Sequence, residues 1–172
     1  MFEYISAHMT AAQVYGLFFL LGTFTVATLS EIKKLAAQRE FFEIWIGFVI
    51  LMFLYDIYTK NNPNILALKW ILIVGFSVLS SKEVGVILSL EIADIAAISA
   101  TAALLTPFYI IIYFIILWAA NKILAPLLLN VFSGLKKNEY PFMPVVFTAT
   151  IIVLLIGMSG VLDWINNYVP FL

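Results

Sequence analysis

Residues 108–129 read FYIIIYFIILWAANKILAPLLL and contain one charged side chain, that of Lys122. A helix needs about 20 predominantly apolar residues to cross a bilayer, because the hydrocarbon core is about 30 Å thick and each residue adds about 1.5 Å. Residues 108–129 meet this requirement. The stretch therefore predicts a transmembrane helix, from which the long Lys122 side chain extends toward water.

The rest of the chain has the same character. Of its 172 residues, 64% are hydrophobic and 11% are charged, and the mean hydropathy is +1.08, far from the composition of a soluble domain. Apolar stretches that qualify or nearly qualify as spans cover residues 12–29, 42–58, 65–79, 84–105, 108–129 and 142–161. We expect an all-α polytopic membrane protein, a bundle of about six transmembrane helices that forms one domain over residues 1–172.

Basic residues in the connections indicate how the bundle is oriented, because short cytoplasmic loops retain lysine and arginine. Six of them fall in loops that alternate along the chain and so share one side of the membrane: Lys33, Lys34, Arg39, Lys82, Lys136 and Lys137. The opposite side has Lys60 alone. This partition predicts a cell-membrane protein with both termini outside. Lys69, near the outer end of the third span, is expected to extend outward to water.

The sequence lacks the side chains that several classes of catalysis and binding require. The chain has no cysteine and a single histidine, His8, which disfavours thiol catalysis and Cys/His zinc sites. We expect no metal ion or other cofactor. Residues 157–160 (GMSG) match a Gly-x-Ser-Gly serine-protease pattern, but a histidine base from another membrane helix is missing. The net charge of −1 gives no basic surface for nucleic acid. The candidate catalytic groups are therefore carboxylates, hydroxyls and backbone groups.

Two carboxylates can meet at the cytoplasmic side of the predicted bundle. Glu31 closes the first span there, and Asp94 lies where the fourth span begins. Two carboxyl groups at close range share a proton, so that one acts as a general base for water and the other as a general acid, as in aspartic proteases. A structural interpretation is also open, in which Glu31 pairs with Lys34 one turn away and Asp94 caps its helix.

Asp56 is expected at the other side of the membrane. The basic-residue partition places it at the outer end of the second span. From there it cannot pair with Asp94, and it is interpreted as a helix-terminal acid next to Lys60.

Three motifs resemble those of the archaeal type IV prepilin and preflagellin peptidases. Residues 90–107 (LEIADIAAISATAALLTP) are similar to that family's Gly-x-(Gly or hydrophobic)-Asp segment and the small-residue helix that follows it. Residues 30–34 (SEIKK) resemble its Ser-Asp-Ile-Lys, and residues 140–144 (YPFMP) its Pro-Phe-x-Pro. Their order, spacing and six-span topology fit, so the resemblance covers nearly the whole chain.

The resemblance implies a membrane aspartic endopeptidase that removes leader peptides from type IV pilin or archaellin precursors at the cytoplasmic face. Glu31 and Asp94 are then the catalytic pair, with Glu91, Lys33 and Lys34 as modulators. Glu31 stands where the family has aspartate, and Glu91 where it has the first glycine. The expected partners are the lipid bilayer and a pilin-like or archaellin-like precursor.

Two other functions are open. A non-catalytic relative would serve as a structural subunit of a larger membrane complex, with other membrane subunits as partners. Small residues in the fourth span would suit close helix contacts in either case: Ala96, Ala97, Ser99, Ala100, Ala102 and Ala103. A small transporter or channel is the third possibility, with Lys122, Asp94 and Glu91 along its path.

Overall fold

The structure is a computed structural model that describes residues 9–34, 39–59, 63–132 and 140–159, without the side chains of Lys33, Lys34, Arg39 and Phe132. Within these ranges the chain forms six helices: α1 (Ala11–Lys34), α2 (Arg39–Thr59), α3 (Pro63–Ser80), α4 (Ile92–Leu104), α5 (Pro107–Phe132) and α6 (Met143–Ser159). A single parallel bridge, Ser81 with Leu90, is the one β-type pairing in the described part of the chain. The predicted all-α class is confirmed.

Four of the helices contain segments that are long and apolar enough to cross a membrane. These segments are Ala11–Ile32, Glu40–Thr59, Pro63–Ser80 and Pro107–Val131. Helices α4 and α6 are shorter, at 13 and 17 residues. At about 1.5 Å per residue, α4 is about 20 Å long, less than the thickness of a hydrocarbon core.

The α3–α4 connection explains why α4 is short. The sequence predicts a span over residues 84–105 that begins as a half-exposed turn, because it contains Glu91 and Asp94. Residues 81–91 form a compact turn in the structure. The Gly85 N–H donates to the Ser81 carbonyl at 2.7 Å, and Gly85 has a φ of +59°, which glycine adopts without steric cost. The Leu90 N–H donates to the Ser80 carbonyl at 3.0 Å. These bonds bring the chain back beside the end of α3, so α4 begins at Ile92.

Helix α4 is the centre of the bundle, because it packs against each of the other five helices. Its buried residues are Asp94, Ala96, Ala97, Ile98, Ser99, Ala100, Thr101, Ala102, Ala103 and Leu104. Most of these side chains are small, which lets neighbouring helix backbones approach closely. The small residues noted in the sequence therefore lie in the core of the structure.

Side chains from two other helices cap the C-terminal end of α4. The last carbonyls of a helix have no partner within it. Lys69 Nζ on α3 donates to the Ala103 carbonyl at 2.5 Å, and Gln13 Nε2 on α1 donates to the Leu104 carbonyl at 2.8 Å. Gln13 is itself held in a capping box at the start of α1, where its Oε1 accepts from the Thr10 N–H at 2.8 Å.

Helix α1 also runs alongside α6, in the opposite direction. Near the start of α1 the Met9 side chain lies against Gly157, where a Cβ would come within 2.5 Å of Met9 Cε. Near its other end Glu31 contacts Met143, the first residue of α6. Gly157 therefore leaves the space that the Met9 side chain occupies.

Candidate functional site

Glu31 and Asp94 lie together at one end of the bundle, where α1 ends and α4 begins. Their exposed fractions are 8% and 9%. They are close enough for the negative charge of Glu31 to act on Asp94. The structure thus places these two predicted site residues at the same end of the bundle and within electrostatic range, from positions 63 residues apart in sequence.

Glu31 is fixed by the first turn of α6. Its Oε2 accepts a hydrogen bond from the Met143 N–H at 2.8 Å, and the Phe142 N–H also donates to this carboxylate. The first N–H groups of a helix lack partners within it, and the helix dipole attracts negative charge to this end. Glu31 therefore caps α6 from a different helix and holds the two helix ends together.

Asp94 is fixed by the start of its own helix. It is the third residue of α4, and it accepts a hydrogen bond from the backbone N–H of Glu91, the N-cap residue. This contact is half of a capping box, with the acid three residues into the helix reaching back to the N-cap. Asp94 therefore caps α4, as the structural interpretation expects. It also lies within electrostatic range of Glu31.

Glu91 lies at the edge of the site. Its charge acts on both Glu31 and Asp94, but its side chain is 77% exposed and lies 3.9 Å from Lys82 Nζ. An exposed pair of this kind contributes little to stability, about 0–1 kcal/mol. Lys33 and Lys34 belong to the last turn of α1, and their side chains lie outside the described part of the structure.

Tyr140 and Asn121 form a further polar contact beside Asp94. The Tyr140 hydroxyl donates to Asn121 Oδ1 at 2.7 Å, which ties the segment before α6 to α5. Burial raises the pKa of Tyr140, and the nearby Asp94 charge raises it further. Tyr140 is therefore protonated at neutral pH. The sequence offered one signal for this contact, the isolated Asn121 within an apolar stretch.

A second buried polar cluster joins α2, α3 and α4. Lys69 Nζ lies 2.6 Å from Asp56 Oδ2, and each side chain is 2% exposed. The same oxygen accepts from Trp70 Nε1 at 3.2 Å. The expectation that Lys69 extends outward to water is wrong, because a buried carboxylate and the Ala103 carbonyl stabilise its ammonium group inside the bundle.

The structure pairs Asp56 with Lys69, and the expected pairing with Lys60 lies outside the described residues. The signal was present in the sequence, as opposite charges on two helices joined by a short connection. As predicted, Asp56 does not join Asp94. It lies at the other end of α4, and nine residues of helix, about 14 Å, separate Asp94 from Ala103.

Within the described ranges, the remaining candidates do not come together in a site. Ser159 is exposed, and its hydroxyl donates to the Ile156 carbonyl at 2.9 Å. Lys122 is exposed and lies 5.9 Å from the centre of the Trp118 ring, on the outer surface of the bundle. A path that combines Lys122 with the buried Asp94 therefore gains no support. Among the residues that the structure describes, no group of three potential ligands could hold a metal ion.

The fold and the site define a helical bundle with a buried carboxylate pair at one end of its central helix. Comparisons with protein-family models, with curated proteins and with solved structures give no match for this chain. The geometry of the carboxylate pair is therefore the basis on which a function is proposed.

Proposed function

We propose that the chain is a multi-pass protein of the cell membrane, with six spans and both termini outside. Four helices with the length and composition of spans support this proposal. Large apolar side chains on the outer faces of these helices also support it, since lipid can cover them: Phe18, Phe19, Leu51, Leu54, Ile71, Val74, Ile115 and Ile123. The short α4 does not need to match the bilayer thickness, because five other helices surround it.

We further propose that this membrane protein is an aspartic endopeptidase. The observation that carries the proposal is the buried pair of carboxylates, Glu31 and Asp94, at the end of the bundle that the basic loops assign to the cytoplasm. Buried carboxyl groups whose charges interact share a proton more readily than both ionise. This state supplies a general base and a general acid within one site.

The reaction follows the chemistry of such a pair. The ionised carboxylate takes a proton from water as the water oxygen attacks the peptide carbonyl carbon, and the protonated carboxyl gives its proton to the carbonyl oxygen. The C–N bond of the tetrahedral intermediate then breaks. The carboxyl that took a proton from water gives it to the leaving nitrogen, and the other carboxylate regains its proton from a hydroxyl of the intermediate as the carbonyl re-forms. The products are a carboxyl terminus and an amine. The Met143 and Glu91 N–H groups keep both carboxylates in place during these steps.

The proposed substrates are type IV pilin-like precursors, cut between a short leader and a hydrophobic segment. The resemblance of residues 30–34, 90–107 and 140–144 to prepilin and preflagellin peptidases supports this choice. These three segments meet at one end of the bundle, since Glu31 accepts a hydrogen bond from Met143 and lies within electrostatic range of Asp94. A precursor whose apolar helix lies in the bilayer would present its leader at this end of the bundle.

The test is cleavage of a co-expressed pilin-type precursor. Asp94→Asn and Glu31→Gln should both abolish it, because an amide neither holds nor releases the shared proton. Glu83→Gln is the matched control, since Glu83 is an exposed carboxylate on the neighbouring turn, and it should cleave at the wild-type rate. Cleavage by Asp94→Asn at the wild-type rate would refute the peptidase proposal.

A second candidate function is a structural subunit of a larger membrane complex. The observation that favours it is the use of both carboxylates as helix caps, Glu31 on α6 and Asp94 on α4. In this case the wild-type protein processes none of the precursors of its own cell. Asp94→Asn should then leave assembly of the complex intact, whereas enlarging Ala97 in the central helix should disrupt it.

A further inference from the structure

Side-chain packing does little to fix the position of α4 along the bundle axis. Its buried stretch from Ala96 to Ala103 consists of alanine, serine and threonine apart from Ile98. Large side chains fix the relative position of helices by fitting between the side chains of a neighbour. A helix that presents mostly small groups can slide by a fraction of a turn at a lower packing cost. The axial position of α4 therefore depends strongly on its polar contacts.

The strongest polar contact on α4 comes from Lys69. Its ammonium group is 2% exposed and lies 2.5 Å from the Ala103 carbonyl and 2.6 Å from Asp56 Oδ2. Burial of a charge is costly unless it is paired and hydrogen-bonded, so Lys69 is restrained by both partners. The helix dipole of α4 adds to this attraction, because its C-terminal end is negative.

Gln13 provides a second contact at the next carbonyl, Leu104, at 2.8 Å. Its amide orientation is set by the capping box with Thr10, so the donor direction is fixed by α1. Two adjacent terminal carbonyls of α4 are thus held by donors from α3 and α1. Both contacts act along the helix axis, because the terminal carbonyls point that way.

We propose that Lys69 and Gln13 are positioning residues that set the axial position of α4, with Asp56 holding the Lys69 ammonium group in place. A helix transmits an axial shift along its length, so a displacement at Ala103 moves Asp94 relative to Glu31. The consequence for catalysis rests on the proposed peptidase function, where a displacement of about 1 Å can cost about 100-fold in rate. The positioning itself does not depend on that function.

A purely stabilising role for the ion pair makes a different prediction. Replacing a buried pair with neutral groups of similar shape often leaves stability unchanged, whereas removing one partner is strongly destabilising. The double variant Asp56→Asn/Lys69→Met keeps the shapes and retains an acceptor for Trp70. If the pair only stabilises the fold, this variant leaves Asp94 where it is. If Lys69 positions α4, the surroundings of residue 94 change in the folded protein, whatever the change in the unfolding midpoint.

The experiment uses the single-cysteine variant Asp94→Cys, since the natural chain contains no cysteine. Alkylation of its thiol by a small maleimide is measured on the full chain in lipid vesicles. When Asp56→Asn/Lys69→Met is added, we expect the alkylation rate to change by about fivefold or more, because thiol reactivity follows access and surroundings. Glu40→Cys, at an exposed position at the start of α2, is the matched control, and its thiol should react at the same rate with and without the double substitution.

Gln13→Leu provides an independent substitution in the Asp94→Cys chain. It removes the Leu104 contact without leaving a buried charge, and it should change the alkylation rate of the thiol in the same direction by a smaller factor. If the double variant fails to fold, the alkylation rate of Asp94→Cys in the Gln13→Leu variant alone decides between positioning and stability. An unchanged alkylation rate in a folded double variant, or in Gln13→Leu when the double variant does not fold, overturns the positioning proposal.

The peptidase proposal is tested separately, because alkylation of the Asp94→Cys thiol needs no cleavage activity. Absence of precursor cleavage by the wild-type chain would end the peptidase proposal and leave the positioning result standing. Where the wild type does cleave, the double variant with Asp94 intact should lower kcat and shift the pH profile of cleavage, both measured per folded molecule. A role confined to stability would leave that profile as it is.

Discussion

The backbone N–H of Met143 lies 2.8 Å from Oε2 of Glu31, so the acid near the end of α1 also caps α6. This contact joins two of the three segments that meet at the site. It also gives Glu31 a structural effect that can be measured apart from any catalytic role, because loss of the carboxylate leaves N–H groups of α6 without their acceptor.

Glu31→Ala should therefore lower the free energy of unfolding by about 1–3 kcal/mol, the cost of buried N–H groups without an acceptor. Glu31→Gln, which retains an oxygen acceptor, should lose less. Unfolding in detergent measures both, and Glu40→Gln, at an exposed position at the start of α2, is the control. Equal stability of Glu31→Ala and the wild type would show that the α6 contact contributes nothing.

Glu31→Asp separates the two roles of this residue. The shorter side chain draws the carboxylate back from Met143 by about 1–1.5 Å, so stability should fall. If the chain is a peptidase, the aspartate of the resembling family is restored, and cleavage of a precursor should be preserved or increased. The measurement is precursor cleavage per folded molecule, with the unfolding midpoint recorded on the same sample. Lost cleavage in a folded Glu31→Asp variant would contradict this prediction.

The sequence predicted the helices and their order better than it predicted the extent of the turn between α3 and α4. A half-exposed turn is expected at the start of the fourth span, but the turn occupies residues 81–91. Hydrophobicity extends without a break through residues 84–90, so an apolar pattern alone continues the helix. The turn depends on hydrogen bonds such as Leu90 to Ser80, and on the positive φ of Gly85. These features arise because the chain returns toward the end of α3. The hydrophobic periodicity of the sequence does not predict this return.

Burial of a charged side chain is a second feature that the sequence did not predict. Lys69 lies within reach of a helix end, and general physical chemistry favours extension of its ammonium group to water. Its burial depends on two partners from other helices, the Asp56 carboxylate and the Ala103 carbonyl. Tertiary contacts of this kind become apparent only when α2, α3 and α4 are placed together.

Gly85→Ala should destabilise the protein by about 1–2 kcal/mol, because an L-residue at a φ of +59° is strained. Space is not the cause, since a Cβ at this position would meet nothing within 4 Å. Gly75→Ala is the matched control in the interior of α3, also with nothing within 4 Å, and it should stabilise by about 0.5–1 kcal/mol. Unfolding midpoints that shift in the same direction for both substitutions would contradict the assigned turn conformation.

Tyr140→Phe should lower stability by about 1 kcal/mol through loss of the hydrogen bond to Asn121. Because the folded-state pKa of Tyr140 is raised, chiefly by burial, the folded protein retains this proton when the unfolded chain begins to release it, near pH 10. The advantage of wild type over Tyr140→Phe should thus be constant below about pH 10 and decline above it. Stability measured against pH for both proteins is the check, and an advantage that grows above pH 10 would contradict it.

The proposed topology is tested by cysteines at Asn62 and Ser133, in the second and fifth connections. An impermeant maleimide should reach Asn62→Cys from outside the cell and Ser133→Cys only after the membrane is opened, because the basic residues assign these connections to opposite sides. Labelling of both from the same side would refute the six-span orientation. It would also remove the assignment of the Glu31–Asp94 end to the cytoplasm.

Enlarging the central helix should be among the most damaging changes in the protein. Ala100 is 0% exposed on α4, where other helices pack around it, and Ala100→Leu adds three carbons that no neighbour has room for. The expected loss is about 1–3 kcal/mol, or failure to fold. Val78→Leu on α3, at a side chain that is 51% exposed, is the control and should change stability by less than about 0.5 kcal/mol. An Ala100→Leu protein as stable as Val78→Leu would mean that α4 does not occupy the crowded centre of the bundle.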